Sequence, residues 1–277
     1  CGGITESRRW SVPDTLLKVE NLKKTYESST GIVEAIGDIS FAMRHGELVC
    51  IVGPSGCGKT TLLKCVAGLL RPTAGVIELD GQPVTDPPEN MALVFQEYGR
   101  SLYPWLTVRG NVELPLRHKK LSRAERDRLI DDALHAVGLD HAAKSYPWQL
   151  SGGMQQRVAI ARAVAYQPEV LIMDEPFAAV DAQTRADLED LVRKLHRERG
   201  MSILFVTHDI DESVYLGERV VVLSKSPTWV QEDLHIDLPD GRDQITTRAM
   251  PRFTELRTHV YEQIQRAKRG EAVRAQG

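Results

Sequence analysis

The sequence predicts an α/β fold with a mostly parallel core sheet, and two observations lead to this prediction. Short apolar runs alternate with helical patterns between residues 47 and 223, which is typical of parallel strands buried under helices. Three of these runs end at chemically useful side chains, namely Gln96, Asp174 and His208. Because ligands of open α/β sheets lie outside the carboxyl ends of the strands, these run ends are candidate functional positions.

Length and composition restrict the domain count and the function class. A chain of 277 residues is long enough for one large α/β domain, or for one domain with a subdomain and a tail. A net charge of -3 and a pI near 6.3 argue against a nucleic-acid-binding protein. No apolar run approaches the length of a membrane span, so work at a membrane would need a partner. The four cysteines show neither metal-ligand spacing nor a disulfide framework, which is typical of a reducing cytosol.

The N-terminal part is predicted to form a small antiparallel sheet. Residues 1–15 are polar and are expected to be poorly ordered. Residues 16–20, 33–36 and 39–43 are short strand-like runs around a turn. Tyr26 lies between these runs, and its position alone indicates a half-buried strand aromatic.

A phosphate-binding loop is the most specific feature of the sequence. Residues 53–61 fit G-x-x-x-x-G-K-[ST], between an apolar run at residues 47–52 and a helical pattern at residues 61–68. A strand, a glycine turn and a helix start aim backbone N–H groups and the helix dipole at one point, which favours a polyphosphate. Lys59 can reach the terminal phosphates, and the Thr60 hydroxyl can bind Mg²⁺. The expected phosphate-binding residues are Gly53, Pro54, Ser55, Gly56, Cys57, Gly58, Lys59, Thr60 and Thr61.

Two side chains near this loop carry further expectations. Tyr26 could stack on a nucleotide base, but only if its strand edge lies beside the loop. Cys57 lies inside the loop, so alkylation of its thiol is expected to block nucleotide binding, and ATP is expected to protect it.

The middle of the chain is predicted to carry a helical insertion. The apolar run at residues 91–96 stops at Gln96, whose amide could approach Mg²⁺ or the attacking water; a capping glutamine is an equally good interpretation. The loop at residues 97–108 is unusually aromatic, which favours either partner docking or a small satellite core. A capping box at Ser122 then opens an amphipathic helix that ends at Gly138.

A second anion-binding helix end is predicted at Ser151, Gly152 and Gly153. The serine hydroxyl, the free N–H groups and the helix dipole together favour an anion. A plain N-cap would not require two glycines inside the helix, because glycine there costs stability. The chain therefore has two candidate phosphate-binding helix ends but only one lysine-bearing loop.

Acidic residues end the next apolar run, at residues 169–173. Asp174 suits an Mg²⁺ site, directly or through a water, and Glu175 suits the general base that acts on water. Paired acids at a strand end are costly unless a cation or a reaction uses them. Asp181 is predicted to cap the following helix.

The last core strands place a histidine at the same edge of the sheet. Residues 202–207 form an apolar run that ends at His208. A lone histidine is usually structural, but this one lies at the carboxyl end of a predicted strand, as the other candidate groups do. Residues 219–223 are predicted to be the final strand. The polar tail, residues 226–277, is predicted to be partly helical and too short for a sizeable second domain.

Together these motifs resemble the ATP-binding subunits of ABC transporters, over residues 16–225. The resemblance implies a P-loop NTPase ABC-ATPase fold whose helical subdomain covers about residues 97–165. It identifies the Walker A loop (residues 53–61), the Q-loop Gln96, the signature motif with Gln155 (residues 150–155), Walker B with the catalytic Glu175, the D-loop Asp181, the switch His208 and the adenine-stacking Tyr26. One departure is that residues 177–181 lack the glycine and leucine common in that loop.

The resemblance also implies a mechanism and a set of partners. Two such subunits, expected to be a homodimer, face each other head to tail, and ATP with Mg²⁺ lies between Walker A of one and residues 151–153 of the other. Closure on ATP pulls transmembrane permease subunits at the cytoplasmic face of the membrane, and an extracytoplasmic solute-binding protein takes part indirectly. The resemblance narrows to the importers of nitrate, sulfonate, taurine and bicarbonate. The segments that resemble theirs are residues 102–108, the signature variant with Met154, and residues 242–248.

Other ABC functions remain as alternatives. A non-hydrolytic or non-transport regulatory module is disfavoured because Glu175 and His208 are both present. A cassette that acts on DNA or ribosomes would be expected to show tandem cassettes, a long coiled-coil insertion or a basic surface. An exporter is disfavoured because many exporter cassettes are fused to their membrane spans.

Overall fold

The computed structural model describes residues 14–28, 31–96 and 101–271. The strands in these residues are β1 (Thr15–Ser28), β2 (Gly31–Arg44), β3 (Leu48–Val52), β4 (Ala74–Leu79), β5 (Gln82–Pro83), β6 (Met91–Val94), β7 (Val170–Asp174), β8 (Ser202–Val206), β9 (Arg219–Leu223) and β10 (Thr228–His235). The helices are α1 (Lys59–Val66), α2 (Val108–Glu113), α3 (Arg123–Ala136), α4 (Gly152–Ala165), α5 (Ala182–Arg199), α6 (Ile210–Leu216) and α7 (Pro251–Arg269), with short 3₁₀ helices at Leu114–His118, Asp140–Ala142 and Pro147–Gln149.

The strands form one sheet in the order β5-β4-β1-β2-β10-β9-β3-β8-β7-β6. The core half is parallel, since β3 pairs with β8 and β9, and β7 pairs with β6 and β8. The N-terminal half is antiparallel, since β1 lies between β2 and β4. The predicted α/β fold with an antiparallel N-terminal part is therefore confirmed. Every residue of β3, β7, β8 and β9 is buried, as expected for strands covered on both faces.

The predicted helix in the insertion is confirmed in detail. Ser122 Oγ accepts from the backbone N–H of Glu125, and the Glu125 carboxylate accepts from the N–H of Ser122, so the capping box is complete. The apolar stripe of α3 is buried against α2 and α4. Gly138 follows the helix with φ 72°, the left-handed conformation that glycine adopts without strain.

Three details of the strand predictions are wrong. The short N-terminal runs are parts of the long strands β1 and β2, whose register shifts near Val19 and Lys24 interrupt the alternation that marks a strand. The strand at residues 219–223 is not the last one, because β10 follows it and joins the two halves of the sheet. β10 pairs antiparallel with β9 and parallel with β2. The apolar run at residues 91–96 also forms a strand only as far as Val94, and Phe95 is exposed.

The tail contributes a helix as predicted, and this helix is anchored in the core. Phe253, Leu256, Val260 and Ile264 are buried on one face of α7. That face packs against α6, β9 and β10. The tail is therefore part of the same packed structure that carries His208 and α6.

Candidate functional site

The loop after β3 encloses the Lys59 ammonium group. Gly56 and Gly58 have φ 75° and 97°, conformations that strain any residue with a Cβ. Lys59 Nζ donates to the carbonyl oxygens of Gly53, at 3.0 Å, and Pro54, at 3.2 Å. Lys59 is only 7% exposed, so its ammonium group is held against the loop and does not extend into solvent. This arrangement fits the predicted phosphate-binding role.

The loop forms one wall of an open cavity of about 530 Å³. The opposite wall comes from the ends of β7 and β8. The lining residues are Ser55, Gly56, Gly58, Lys59, Thr60, Thr61, Glu175 and His208. The fold thus brings the lysine-bearing loop together with two of the residues predicted to be catalytic.

Glu175 and His208 form a contact across two neighbouring strands. His208 Nδ1 and Glu175 Oε2 are 3.0 Å apart. The Glu175 backbone N–H donates to Val206 O at 2.8 Å, so pairing with β8 continues one residue beyond β7. Glu175 has φ 44°, an uncommon conformation for a residue with a side chain. This turn in the backbone directs the Glu175 carboxylate toward the cavity, where a water could be activated.

Asp174 and Thr60 are suited to Mg²⁺. The Thr60 hydroxyl lies close enough to Asp174 to lower the pKa of its carboxyl, and Asp174 is only 8% exposed. Burial and the nearby Glu175 charge raise the pKa of Asp174, while Thr60 and the Lys59 charge oppose that rise. A hydroxyl and a carboxylate are hard oxygen ligands of the kind that Mg²⁺ takes, and a cation would offset the cost of the buried charge. Bound there, Mg²⁺ would neutralise charge that develops on the phosphates.

This chain supplies only part of a metal coordination shell. Within the described residues, no group of three or more His, Cys, Asp or Glu side chains is placed to hold a metal ion. Mg²⁺ usually completes its shell with water and substrate phosphates, so the pair of Thr60 and Asp174 fits an ion that arrives with a nucleotide. Gln96, the third predicted ligand, is exposed beyond β6 and does not line the cavity.

Tyr26 meets the condition set for it by the sequence. It lies in β1 at the edge of the loop, and its hydroxyl is 3.3 Å from Thr61 Oγ1. Tyr26 is 40% exposed, so part of its side chain is accessible to a ligand. Lys24 Nζ lies 5.2 Å from the ring centroid. The position fits stacking on a base, which remains a prediction.

The second predicted anion site lies elsewhere on the surface. Ser151 caps α4 by accepting from the N–H of Met154, and neither it nor Gly152 or Gly153 lines the cavity described above. Gln155 uses its amide inside the chain, donating to the carbonyls of Pro147 and Leu150. This holds the loop that precedes the helix end.

Asp181 is likewise outside the cavity. It is exposed and caps α5, as predicted, by accepting from the N–H of Thr184 at 3.0 Å. It does not line the cavity that holds Glu175 and His208.

The buried position of Cys57 argues against the expectation that its thiol is open to alkylation. Cys57 is 1% exposed and is packed among buried apolar residues that include Ile36, Leu62 and Leu223. Its Sγ points beneath the loop, 3.0 Å from the place that a Cβ on Gly53 would occupy. Position in the motif alone could not reveal this, because a loop residue can turn its side chain to either side.

We therefore expect Cys57 to resist alkylation in the native protein, with or without ATP. Burial raises the pKa of the thiol, so little thiolate is available to react. Labelling with iodoacetamide, followed by peptide mass spectrometry, should be about a hundredfold slower than in denaturant. A Ser55→Cys variant provides the control, because that position is exposed in the cavity and should be labelled rapidly and protected by ATP. Rapid, ATP-protected labelling of Cys57 would contradict the buried position.

The segment at residues 242–248 clamps the helix that follows His208. Arg242 donates to the carbonyls of Tyr215 and Gly217 at the end of α6, at 2.7 and 2.9 Å. Arg248 forms an ion pair of 2.6 Å with Glu189 of α5, which is almost fully buried. These bonds connect the end of α6 to α5. No pattern in the sequence indicates this role, because the partners lie far away along the chain.

The comparisons with known proteins agree with this geometry. The sequence model described as ABC transporter matches residues 36–178, just over half of the chain. The chain belongs to the ABC transporter family. An ABC transporter ATP-binding protein of Methanocaldococcus jannaschii is 46% identical over 82% of this chain and 85% of that protein. The nitrate import ATP-binding protein NrtD of Synechococcus elongatus is 40% identical over 95% of this chain and 96% of that protein.

A solved ABC structure is similar in fold as well as in sequence. It is a dimeric ATP-binding cassette in a post-hydrolysis state bound to ADP and Pi, with a TM-score of 0.70. It is 34% identical and covers 81% of this chain and 100% of that chain. This ABC chain is accordingly an ATPase that binds ATP with Mg²⁺ and hydrolyses it to ADP and phosphate. Among its described residues, no helix has both the length and the apolar character needed to cross a bilayer.

Proposed function

We propose that this chain is the nucleotide-binding subunit that powers an importer of a small anion or sulfonate, of the nitrate, sulfonate, taurine and bicarbonate type. The supporting observation is the extent of its similarity to the nitrate import ATP-binding protein. That alignment covers 95% of this chain, so it includes the clamp at residues 242–248 as well as the ATPase core. The pair of Glu175 and His208 favours a hydrolytic subunit over a binding-only module.

Each of the site residues has a separate role in ATP hydrolysis. The loop N–H groups and Lys59 hold the triphosphate, and Tyr26 stacks on the base. Thr60 and Asp174 would hold Mg²⁺, and Gln96, which lies outside the cavity in this structure, would have to move to join them. Glu175 accepts a proton from the water that attacks the γ-phosphorus, and the bond from that phosphorus to the β,γ-bridging oxygen breaks. His208 orients the Glu175 carboxylate.

The site is completed by a second ATPase subunit, most simply another copy of this chain. Residues 151–153, the predicted anion-binding helix end, do not line the cavity formed by the lysine-bearing loop of their own chain. The similar solved cassette is a dimer bound to ADP and Pi. In our proposal, residues 151–153 and Asp181 of one copy face the lysine-bearing loop of the other, so that ATP joins the two copies.

Exposed aromatic pairs in the helical insertion provide a docking surface for a permease. Tyr103 and Trp105 lie edge to face, with ring centroids 5.2 Å apart, and Tyr146 and Trp148 are stacked at 6.1 Å. Trp105 and Trp148 are 70% and 71% exposed. Such side chains are enriched where proteins bind one another. A permease bound here would hold the chain at the cytoplasmic face of the membrane and connect it to an extracytoplasmic solute-binding protein.

Transport by the purified complex tests this proposal. The chain is isolated together with its permease subunits, reconstituted into vesicles with its solute-binding protein, and supplied with labelled nitrate, bicarbonate, taurine or an alkanesulfonate. We expect ATP-dependent uptake of one of these anions, and none when the complex carries Glu175→Gln. A complex that hydrolyses ATP but accumulates none of them would contradict the importer assignment.

A further inference from the structure

The first turn of α5 connects two parts of the proposed shared site. Asp181 Oδ1 accepts from the Thr184 N–H at 3.0 Å, and Thr184 Oγ1 donates to Asp181 Oδ2 at 2.7 Å. Both carboxylate oxygens are therefore bound to Thr184. The hydroxyl bond also fixes the rotation of the Thr184 side chain, and with it the position of its methyl group.

That methyl group lies against the first turn of α4, the helix that begins within the predicted signature motif and is called the signature helix below. A Cβ built on Gly153 would be 2.4 Å from Thr184 Cγ2, which is far closer than two non-bonded carbon atoms approach each other. Gly153 is buried in the first turn of α4 and is not among the residues with positive φ. Its backbone conformation therefore does not itself require glycine. The requirement for glycine at position 153 is one of space, and within the chain the space is taken by Thr184.

The contact joins two hydrogen-bonding systems. If Thr184 rotated to make room for a larger residue at position 153, its hydroxyl would lose the bond to Asp181. Arg185, the next residue, holds Asp209 through an ion pair of 3.2 Å, and Asp209 follows His208. The start of α5 thus contacts the signature helix on one side and the segment after His208 on another.

We propose that Thr184 is a positioning residue that couples the helix end at residues 151–153 to Asp181, so that the two groups are presented to the partner subunit as one unit. This inference rests on the proposed function, since it assumes that the site is shared between two copies. It differs from a model in which Gly153 is small only to admit the partner's nucleotide. In that model the identity of residue 184 has no bearing on what position 153 tolerates.

Paired substitutions separate the two models. We expect Gly153→Ala to lower kcat for ATP about tenfold, with thermal stability and ATP binding by the monomer retained. In Gly153→Ala/Thr184→Ser the methyl is gone while the hydroxyl remains, and kcat should return to within about threefold of Thr184→Ser alone. The matched control, Gly153→Ala/Thr184→Val, keeps the obstructing methyl and should not recover. A serine double variant as slow as Gly153→Ala alone would overturn the coupling.

A second comparison covers the case in which Gly153→Ala fails to fold. Thr184→Val keeps the side-chain shape but loses the bond to Asp181, so it should lower kcat about threefold or more with little change in KM, whereas Thr184→Ser should not. On a Glu175→Gln background, Thr184→Val should also weaken the ATP-dependent dimer measured by sedimentation. A normal kcat and dimer in Thr184→Val would refute the proposal. If Glu175→Gln alone never dimerises with ATP, the shared site itself is wrong, and the coupling falls with it.

Discussion

Glu175→Gln is expected to stop ATP turnover while leaving ATP binding intact. Glutamine has the same shape and can still bond to His208, 3.0 Å away, but it cannot take a proton from water. Removing a general base typically costs a factor of about 10² to 10⁴, so kcat should fall by at least a hundredfold. Phosphate release measures turnover, and a fluorescent ATP analogue measures binding. Glu262→Gln, an exposed change on α7, is the matched control and should be neutral.

The same variant should accumulate as a dimer. If ATP joins two copies and hydrolysis separates them, a copy that cannot hydrolyse ATP should remain paired. Size-exclusion chromatography should then show a dimer with ATP and a monomer with ADP. Near-normal hydrolysis by Glu175→Gln would remove Glu175 from its catalytic role.

Lys59→Met and Ser151→Phe are each expected to lower ATP hydrolysis about a hundredfold, for different reasons. Lys59→Met removes the ammonium group enclosed by the loop, so the monomer itself should bind ATP poorly. Ser151→Phe leaves that loop unchanged but blocks the helix end, so the monomer should bind ATP normally and fail only in turnover and dimer formation. Titration of each monomer with a fluorescent ATP analogue distinguishes the two defects.

The parts of the fold that the sequence predicted are those that local chemistry determines. The capping box at Ser122 and the glycine at position 138 act within one turn of helix, and buried parallel strands consist of continuous apolar runs. β10 was missed because its sequence is largely polar, and it is a strand only because β9 and β2 provide partners on both sides. α6 was missed as well, since it is short and depends on its cap at Asp209 and on packing against α7.

The sequence likewise predicted the candidate site only where local motifs mark its residues. The lysine-bearing loop, Glu175 and His208 could be found in the sequence because motifs and strand ends mark them, and the structure places them around one cavity. The burial of the Cys57 thiol, the contact of Thr184 with Gly153 and the clamp of Arg248 on Glu189 have no such marks. They arise from packing between segments that are distant in the chain. The bond between Asp181 and Thr184 is different, because a helix N-cap can be recognised from the local sequence.

A mixing experiment tests the shared site most directly. Lys59→Met and Ser151→Phe chains, each inactive alone, are combined in equal amounts and assayed for ATP hydrolysis. If the site is shared, a mixed dimer has one intact site, built from the Lys59 of one chain and the Ser151 of the other. Random pairing in a symmetric dimer should then restore about a quarter of the unmutated rate. If the mixture remains as inactive as its two components, triphosphate is not held between two copies, and the shared site is contradicted.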